Sequence, residues 1–220
     1  NSTVCLQPVI VLVIDAESTD ETVAIARRHA TRVLVRPWPG YSEQKNFAAG
    51  LARHDWILSI DADERVTPAL ADDIRRALAA RPEERGFEVA RVTFHLGRWI
   101  RSTDWYPDYQ LRLYDRRSAR WNDRPVHESV AVDGRVGRLR GELQHFAYRD
   151  LSHHLQTIDR YTTLAAAHMD DLGQRAGFAD LLLHPPLAFL RNYVLRLGLR
   201  DGLPGLMVSL LNSYYVMLKF

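Results

Sequence analysis

Trp56-Ile57-Leu58-Ser59-Ile60-Asp61-Ala62-Asp63-Glu64-Arg65 decides how this chain is read. Its first half, Trp56 to Ile60, has the short apolar character of a buried strand. The strand stops abruptly in acid. Side chains two apart in an extended segment point the same way. Asp61 and Asp63 therefore aim two carboxylates at one spot beyond the strand end, where open α/β sheets place their ligands. Paired hard oxygens suit Mg²⁺ or Mn²⁺ that also grips phosphate oxygens. The alternative is a strand-to-helix turn, with Asp63 as a cap and Glu64 in solvent.

Upstream, Val9 to Ile14 is an unbroken apolar run, as expected of a strand buried on both faces of a parallel sheet, and it stops at Asp15. Ser18 and Glu21 have capping-box spacing for a helix that runs to about His29. Val33 to Val35 reads as a second short strand, and Pro37 and Pro39-Gly40 break the chain. Ser42 is placed to cap a helix over Glu43 to Arg53, with Phe47, Ala48 and Leu51 on its apolar face. Downstream of the acidic stretch, Thr67-Pro68 opens a helix whose buried stripe is Leu70, Ile74, Ala77 and Leu78. Strands alternating with helices predict a mostly parallel sheet covered by helices.

The pattern changes after Arg81-Pro82. Gly86 to Ile100 and Gln110 to Arg116 read as strands on either side of a turn-rich aromatic loop, Thr103 to Asp108. Leu139 to Phe146 reads as another strand. From Leu151 the character is helical: His154, Ile158, Tyr161 and Ala165 share one face, and Pro185-Pro186 interrupts before Leu187 to Leu199. The expected division is an α/β core over 1–150 and a helical region over 151–220. Gly202 to Leu218 carries no charge, yet it falls short of the roughly 20 apolar residues of a membrane span. Arg191, Arg196, Arg200 and Lys219 flank it, and Tyr214 and Tyr215 suit a membrane–water boundary. Leu187 to Phe220 is read as helices lying on a bilayer or against a partner, the alternative being ordinary core.

The chain has 220 residues, 46% of them hydrophobic, enough for one substantial core plus an appendage. A net charge of +2 gives no nucleic-acid footprint. Cys5 is the sole cysteine, so there is no disulfide framework and no cysteine metal cluster, in keeping with a reducing compartment. No Gly-rich phosphate loop is present, which argues against a nucleotidyltransferase.

Several stretches resemble a known family. Val13-Ile-Asp-Ala-Glu-Ser-Thr-Asp-Glu-Thr22, Glu43-Gln-Lys-Asn-Phe47 and Trp56 to Arg65 are similar to the acidic turn, following helix and Asp-x-Asp strand of family 2 glycosyltransferases. Trp105-Tyr-Pro-Asp-Tyr-Gln-Leu-Arg-Leu-Tyr114, Val126-His-Glu128, Tyr161-Thr162 and Arg200-Asp-Gly-Leu-Pro-Gly205 resemble the branch that adds glucose to the heptose of the lipopolysaccharide inner core. The resemblance implies a GT-A-like core with a C-terminal helical extension. The family's usual first strand, of the type Val-Val-Ile with a polar nucleotide-holding loop, is missing here. The chain is therefore expected to be either a fragment or a degenerate, non-catalytic GT-A-like module if it is not an active enzyme.

The resemblance further implies an inverting transfer from a nucleotide-sugar, UDP-glucose, to a lipid-linked saccharide acceptor. The enzyme would sit peripherally on the cytoplasmic face of the bacterial inner membrane. Asp63 would hold Mg²⁺ or Mn²⁺, with Asp61 beside it or on the ribose hydroxyls. Asp15 would contact the base or ribose, unless it only enters the helix. Lys45 would reach the nucleotide, unless it is an ordinary exposed lysine. His145 would be a further metal ligand or a hydrogen-bonded strand histidine. A base must take the proton of the attacking hydroxyl. Asp108, in the aromatic loop, is the first candidate and Glu128, beside His127, the second; either is alternatively an acid held by Arg112 or Arg116. Trp105 and Tyr106 form an acceptor platform or belong to the core. Transfer to another lipid-linked acceptor is the remaining alternative within enzymes.

Overall fold

The computed structural model describes residues 9–122 and 129–220. In chain order its elements are β1 (Leu12–Asp15), α1 (Thr22–His29), β2 (Arg32–Val35), α2 (Tyr41–Leu51), β3 (Trp56–Leu58), β4 (Glu64–Val66), α3 (Pro68–Ala79), β5 (Gly86–His95), β6 (Arg98–Ile100), β7 (Asp108–Asp115), β8 (Ala119–Trp121), β9 (Val130–Val132), β10 (Val136–His145), α4 (Leu151–Asp171), α5 (Phe178–Leu190) and α6 (Gly202–Leu218). This is an α/β fold with helices at the C-terminal end.

The sheets are mixed rather than mostly parallel. β1 and β2 form a two-stranded parallel sheet with Asp15 opposite Val35. A six-stranded sheet runs β3-β7-β5-β10-β4, with β6 paired to β5. Its β3–β7, β5–β6 and β10–β4 registers are antiparallel. β8 and β9 pair antiparallel in a third sheet. Two expectations are corrected here. Leu12–Asp15 and Trp56–Leu58 lie in separate sheets, and Val9 is 86% exposed rather than buried in a strand. The antiparallel pairings of the larger sheet follow from connection length: a parallel partner needs a long crossover, usually an α-helix, and none lies among the described residues between α3 and α4. The expected single strand Gly86–Ile100 is instead a hairpin, folded at Leu96 and Gly97, which both have positive φ.

The chain divides into two compact units, and the boundary falls inside the Asp-Ala-Asp motif, after Asp61. The first unit holds the described residues of Asn1–Asp61, Thr67–Val89 and Gln110–Gly141. Its core gathers Tyr114, Trp121 and Val130, with Ile57 and Leu111 packed against them. The Trp121 indole N–H donates to the Tyr114 hydroxyl at 3.1 Å. α3 begins as its sequence predicts: Pro68 is at the first position, and Thr67 Oγ1 accepts the Leu70 N–H. Leu70 is fully buried, and a Cβ at Gly141 would come within 2.4 Å of the Leu70 Cα, so only glycine admits the helix there. The other helix starts are moved. Ser18 does not cap α1, which starts at Thr22 with Glu21 at the cap position; the Ser18 N–H donates to Asp15 Oδ2 at 2.8 Å. α2 starts at Tyr41 after Gly40, whose φ of +118° turns the chain, and Ser42 lies inside the helix, where its hydroxyl donates to the Asn122 carbonyl.

The second unit holds the described residues of Ala62–Val66, Ala90–Tyr109 and Glu142–Phe220. Asp150 caps α4 by accepting the His153 N–H at 2.7 Å. His154, Ile158 and Thr162 form its buried face, whereas Tyr161, expected on that face, is 49% exposed. α5 continues through Pro185-Pro186 instead of breaking. The two missing N–H groups would have served the Leu181 and Leu182 carbonyls, and both of those residues are exposed, so water can satisfy them. No helix among the described residues is long and apolar enough to cross a membrane.

Candidate active site

In the first unit the central group is Asp61. Arg112 on β7 reaches its Oδ2 at 2.7 Å, and Lys45 on α2 reaches its Oδ1 at 3.0 Å. Arg112 is buried, and the Lys45 ammonium also lies 4.2 Å from the Trp121 ring centroid, so this is no loose surface lysine. Burial pushes the Asp61 carboxyl up, but the Arg112 and Lys45 charges outweigh it and hold the group below the usual carboxylate range. Counting these three side chains, the cluster carries one net positive charge. Gln44, next to Lys45 in the chain, is buried with neither amide atom hydrogen-bonded among the described residues. Asp15, also buried, ends β1, and its carboxylate closes the turn to Ser18.

In the second unit, Asp63 Oδ2 lies 3.3 Å from His145 Nε2. The other ring nitrogen of His145 meets Thr93 Oγ1 at 3.3 Å, which orients the imidazole. Glu64 follows in the chain and is buried, with Arg91 at 3.3 Å. The same guanidinium reaches Asp108 Oδ2 at 2.7 Å. Among the described residues the cation that reaches Asp108 is Arg91; Arg112 reaches Asp61, and Arg116 lies 3.9 Å from Asp55. Counting Glu64, Arg91 and Asp108, this cluster carries one net negative charge. Arg91, Thr93, Trp105, Asp108, His145 and Tyr148 line one cavity of about 180 Å³.

Trp105 stacks on Tyr148 at 5.6 Å between ring centroids and meets the rings of His95 and His154 at 5.4 Å. Tyr106 is used differently. Its hydroxyl donates to Glu142 Oε1 at 2.6 Å, Arg101 grips the same carboxylate, and Tyr106 is not among the cavity's lining residues. Burial and the Glu142 bond push the Tyr106 hydroxyl pKa up, so it stays a neutral donor. Glu128 lies outside the described residues.

Sequence reasoning missed the residues that hold the aromatic loop. Asn192 Oδ1 accepts the Asp104 N–H at 2.7 Å, and Asp201 Oδ2 accepts from the Arg101 N–H at 2.8 Å and the Ser102 hydroxyl at 2.5 Å. Both are buried. Asp201 stands in one of the quoted family-like stretches; Asn192 carries no local signal. Arg112 also stands in a family-like stretch, but was expected beside Asp108 or Glu128 rather than Asp61; Arg91, one of many arginines, gave no signal.

Among the described residues no three His, Cys, Asp or Glu side chains gather as a metal cluster. A carboxylate and an oriented imidazole 3.3 Å apart are a two-donor set in which the carboxylate suits Mn²⁺ or Mg²⁺ and the imidazole suits a transition ion better than Mg²⁺.

Comparison with known proteins gives the class. Residues 3–130 match the family described as Glycosyl transferase family 2. The chain is 33% identical over 216 residues to "Lipopolysaccharide core biosynthesis glycosyltransferase LpsC" of Rhizobium meliloti (strain 1021), covering 94% of this chain and 80% of that one. It is 27% identical over 216 residues to "Uncharacterized glycosyltransferase RT0209" of Rickettsia typhi, with 93% and 74% covered. Over 87 residues it is 47% identical to an uncharacterized glycosyltransferase of Rickettsia bellii, with 39% and 30% covered. The chain belongs to glycosyltransferase family 2. Its chemistry is accordingly sugar transfer from a nucleotide-sugar donor to a saccharide acceptor.

Proposed function

We propose that this chain transfers glucose from UDP-glucose, with inversion, to a heptose of the lipopolysaccharide inner core. The observation that carries the reading is that Asp108, Trp105 and His145 line one cavity: an acid, a flat aromatic face and a metal-type donor. The name of the Rhizobium relative supports the lipopolysaccharide core as the acceptor class. In the reaction the acceptor oxygen attacks the anomeric carbon, the bond from that carbon to the phosphate oxygen breaks, and UDP departs with the electron pair. Asp108 takes the hydroxyl proton. Trp105 offers its face to the acceptor ring. Lys45 and Arg112, with their net positive charge around Asp61, attract the anionic donor, and Asp61, held ionised between them, accepts from ribose hydroxyls. Asp15 serves the base or ribose. Asp63 and His145 would hold a divalent ion, Mn²⁺ or Mg²⁺, which would supply positive charge for the departing diphosphate.

The region 151–220 is assigned to the acceptor and the membrane surface. Phe178 is 81% exposed, and Leu182, Leu187, Leu195 and Leu203 are exposed as well, along a stretch that carries Arg191, Arg196 and Arg200. Exposed apolar side chains with cations suit an anionic bilayer surface, here the cytoplasmic face of the inner membrane. The double variant Leu182→Ser/Leu187→Ser should float less with anionic vesicles than the wild type; equal flotation would refute this assignment. The transfer reading is tested by incubating the protein with UDP-glucose and a lipopolysaccharide acceptor that ends in heptose. A β-linked glucose product is expected. Product with a different donor sugar, an α-linkage, or no transfer to any core acceptor would overturn it.

A further inference from the structure

The second unit holds another cavity, of about 330 Å³, whose walls include Trp105, Tyr148, His154, Tyr161, Asn212 and Tyr215, with Ile158 and Leu211 as its aliphatic part. It shares two walls, Trp105 and Tyr148, with the smaller cavity that contains Asp108 and His145. Three observations define what it takes. First, four aromatic side chains line it, and flat rings of this kind present faces to a pyranose or to an apolar chain. Second, among the described residues no Asp, Glu, Lys or Arg lines it, so it offers no cation to a phosphate or carboxylate. Burial holds the nearby His154 far below its usual pKa, at about 4, so that ring is neutral as well. Third, Asn212 Nδ2 is buried with no hydrogen-bond partner among the described residues. A buried donor without a partner is unfavourable, and a ligand oxygen relieves it where an acyl chain does not. The volume lies in the range of small-molecule sites, about 300–1,000 Å³.

We propose that this cavity binds a neutral sugar ring of the acceptor, the unit next to the one that receives the transferred hexose, with its ring on the aromatic walls and a hydroxyl accepting from Asn212 Nδ2. The inference rests on the reading of the acceptor as a saccharide core, and it makes the enzyme selective for acceptors of at least two sugar units.

The test uses the full chain and two probes without donor: a methyl heptoside, and lipid-free core oligosaccharide released from lipopolysaccharide by mild acid. Calorimetry should show the oligosaccharide binding tighter by about tenfold or more, the worth of one well-made hydrogen bond with stacking. Asn212→Leu and Tyr161→Ala should each remove most of that advantage and leave UDP affinity unchanged. Tyr161 is half exposed, so its truncation leaves the core of the unit in place and guards against a misfolded Asn212 variant. Equal affinity of the two probes for the wild type, or an advantage that survives both substitutions, would overturn the proposal. So would tighter binding of lipid A by Asn212→Leu, which would identify an acyl-chain site. The two readings fail differently: transfer to heptose that ignores the second unit sinks the cavity alone, whereas binding that follows these variants without any transfer sinks the assigned reaction.

Discussion

The two units treat charge in opposite ways. In the first, one carboxylate, Asp61, lies between two cations, Lys45 and Arg112. In the second, one cation, Arg91, lies between two carboxylates, Glu64 and Asp108, and His145 lies beside Asp63. Asp61 and Asp63 stand two residues apart in one motif, yet they acquire different chemistry. A carboxylate neutralised twice over is a poor ligand for a further cation, because its charge is already met. Asp63 instead faces the His145 imidazole, 3.3 Å away. The difference teaches that an Asp-x-Asp pair need not act as a pair. Here the first acid is paired with two cations, and the second faces an imidazole.

The most severe test of this contrast is Asp108→Asn, which should lower turnover by ~10²–10⁴, the usual worth of a general base, with donor affinity little changed. If both substrates bind as before and turnover stays near wild type, the negative cluster is structural and the base lies elsewhere, with Glu128 next to be examined. Asp63→Ala should come second. Mn²⁺ or Mg²⁺ should tighten UDP binding to the wild type, the variant should lose that gain, and turnover should drop by ~10²–10³. UDP titrations that look alike with chelator and with metal would erase the distinction between the two acids.

The third test asks whether the buried His154 imidazole is neutral. His154 and His95 lie 3.2 Å apart in the aromatic cluster with Trp105 and Tyr148, and His153 adjoins them. Burial first, and then the neighbouring histidines, lower the His154 pKa from 6.5 to about 4. The unfolded chain therefore binds the extra proton below pH 6.5 while the folded chain refuses it until about pH 4, so stability falls as pH falls through that window. Denaturant unfolding should lose about 2 kcal/mol between pH 7 and 5, and His154→Gln should flatten the loss. An unchanged slope in the variant would show that His154 does not cause it. The smallest effect is expected from Lys45→Met, about a tenfold rise in the Kd for UDP from loss of one charge-assisted contact. No change there would mean that Lys45 only steadies Asp61.

Local sequence determined a good deal. The apolar run ending in acid at Asp61 and Asp63, the Thr67-Pro68 helix start, the helical character from Leu151 and the aromatic stretch around Trp105 were legible because each depends on neighbours within a few residues. The family-like stretches were legible for the same reason, being contiguous. Tertiary structure alone decided which charges meet. Lys45, Asp61 and Arg112 come from three separate segments, as do Glu64, Arg91 and Asp108, and no spacing in the chain singles out Arg91 or Arg112 among so many arginines. The mixed sheet was hidden too, since strand direction depends on pairing across the chain, and the Leu96–Gly97 hairpin depends on two backbone angles that hydropathy does not encode. Pro185-Pro186 marked a break by its local chemistry, yet the helix runs on because water at exposed Leu181 and Leu182 can take up the two freed carbonyls.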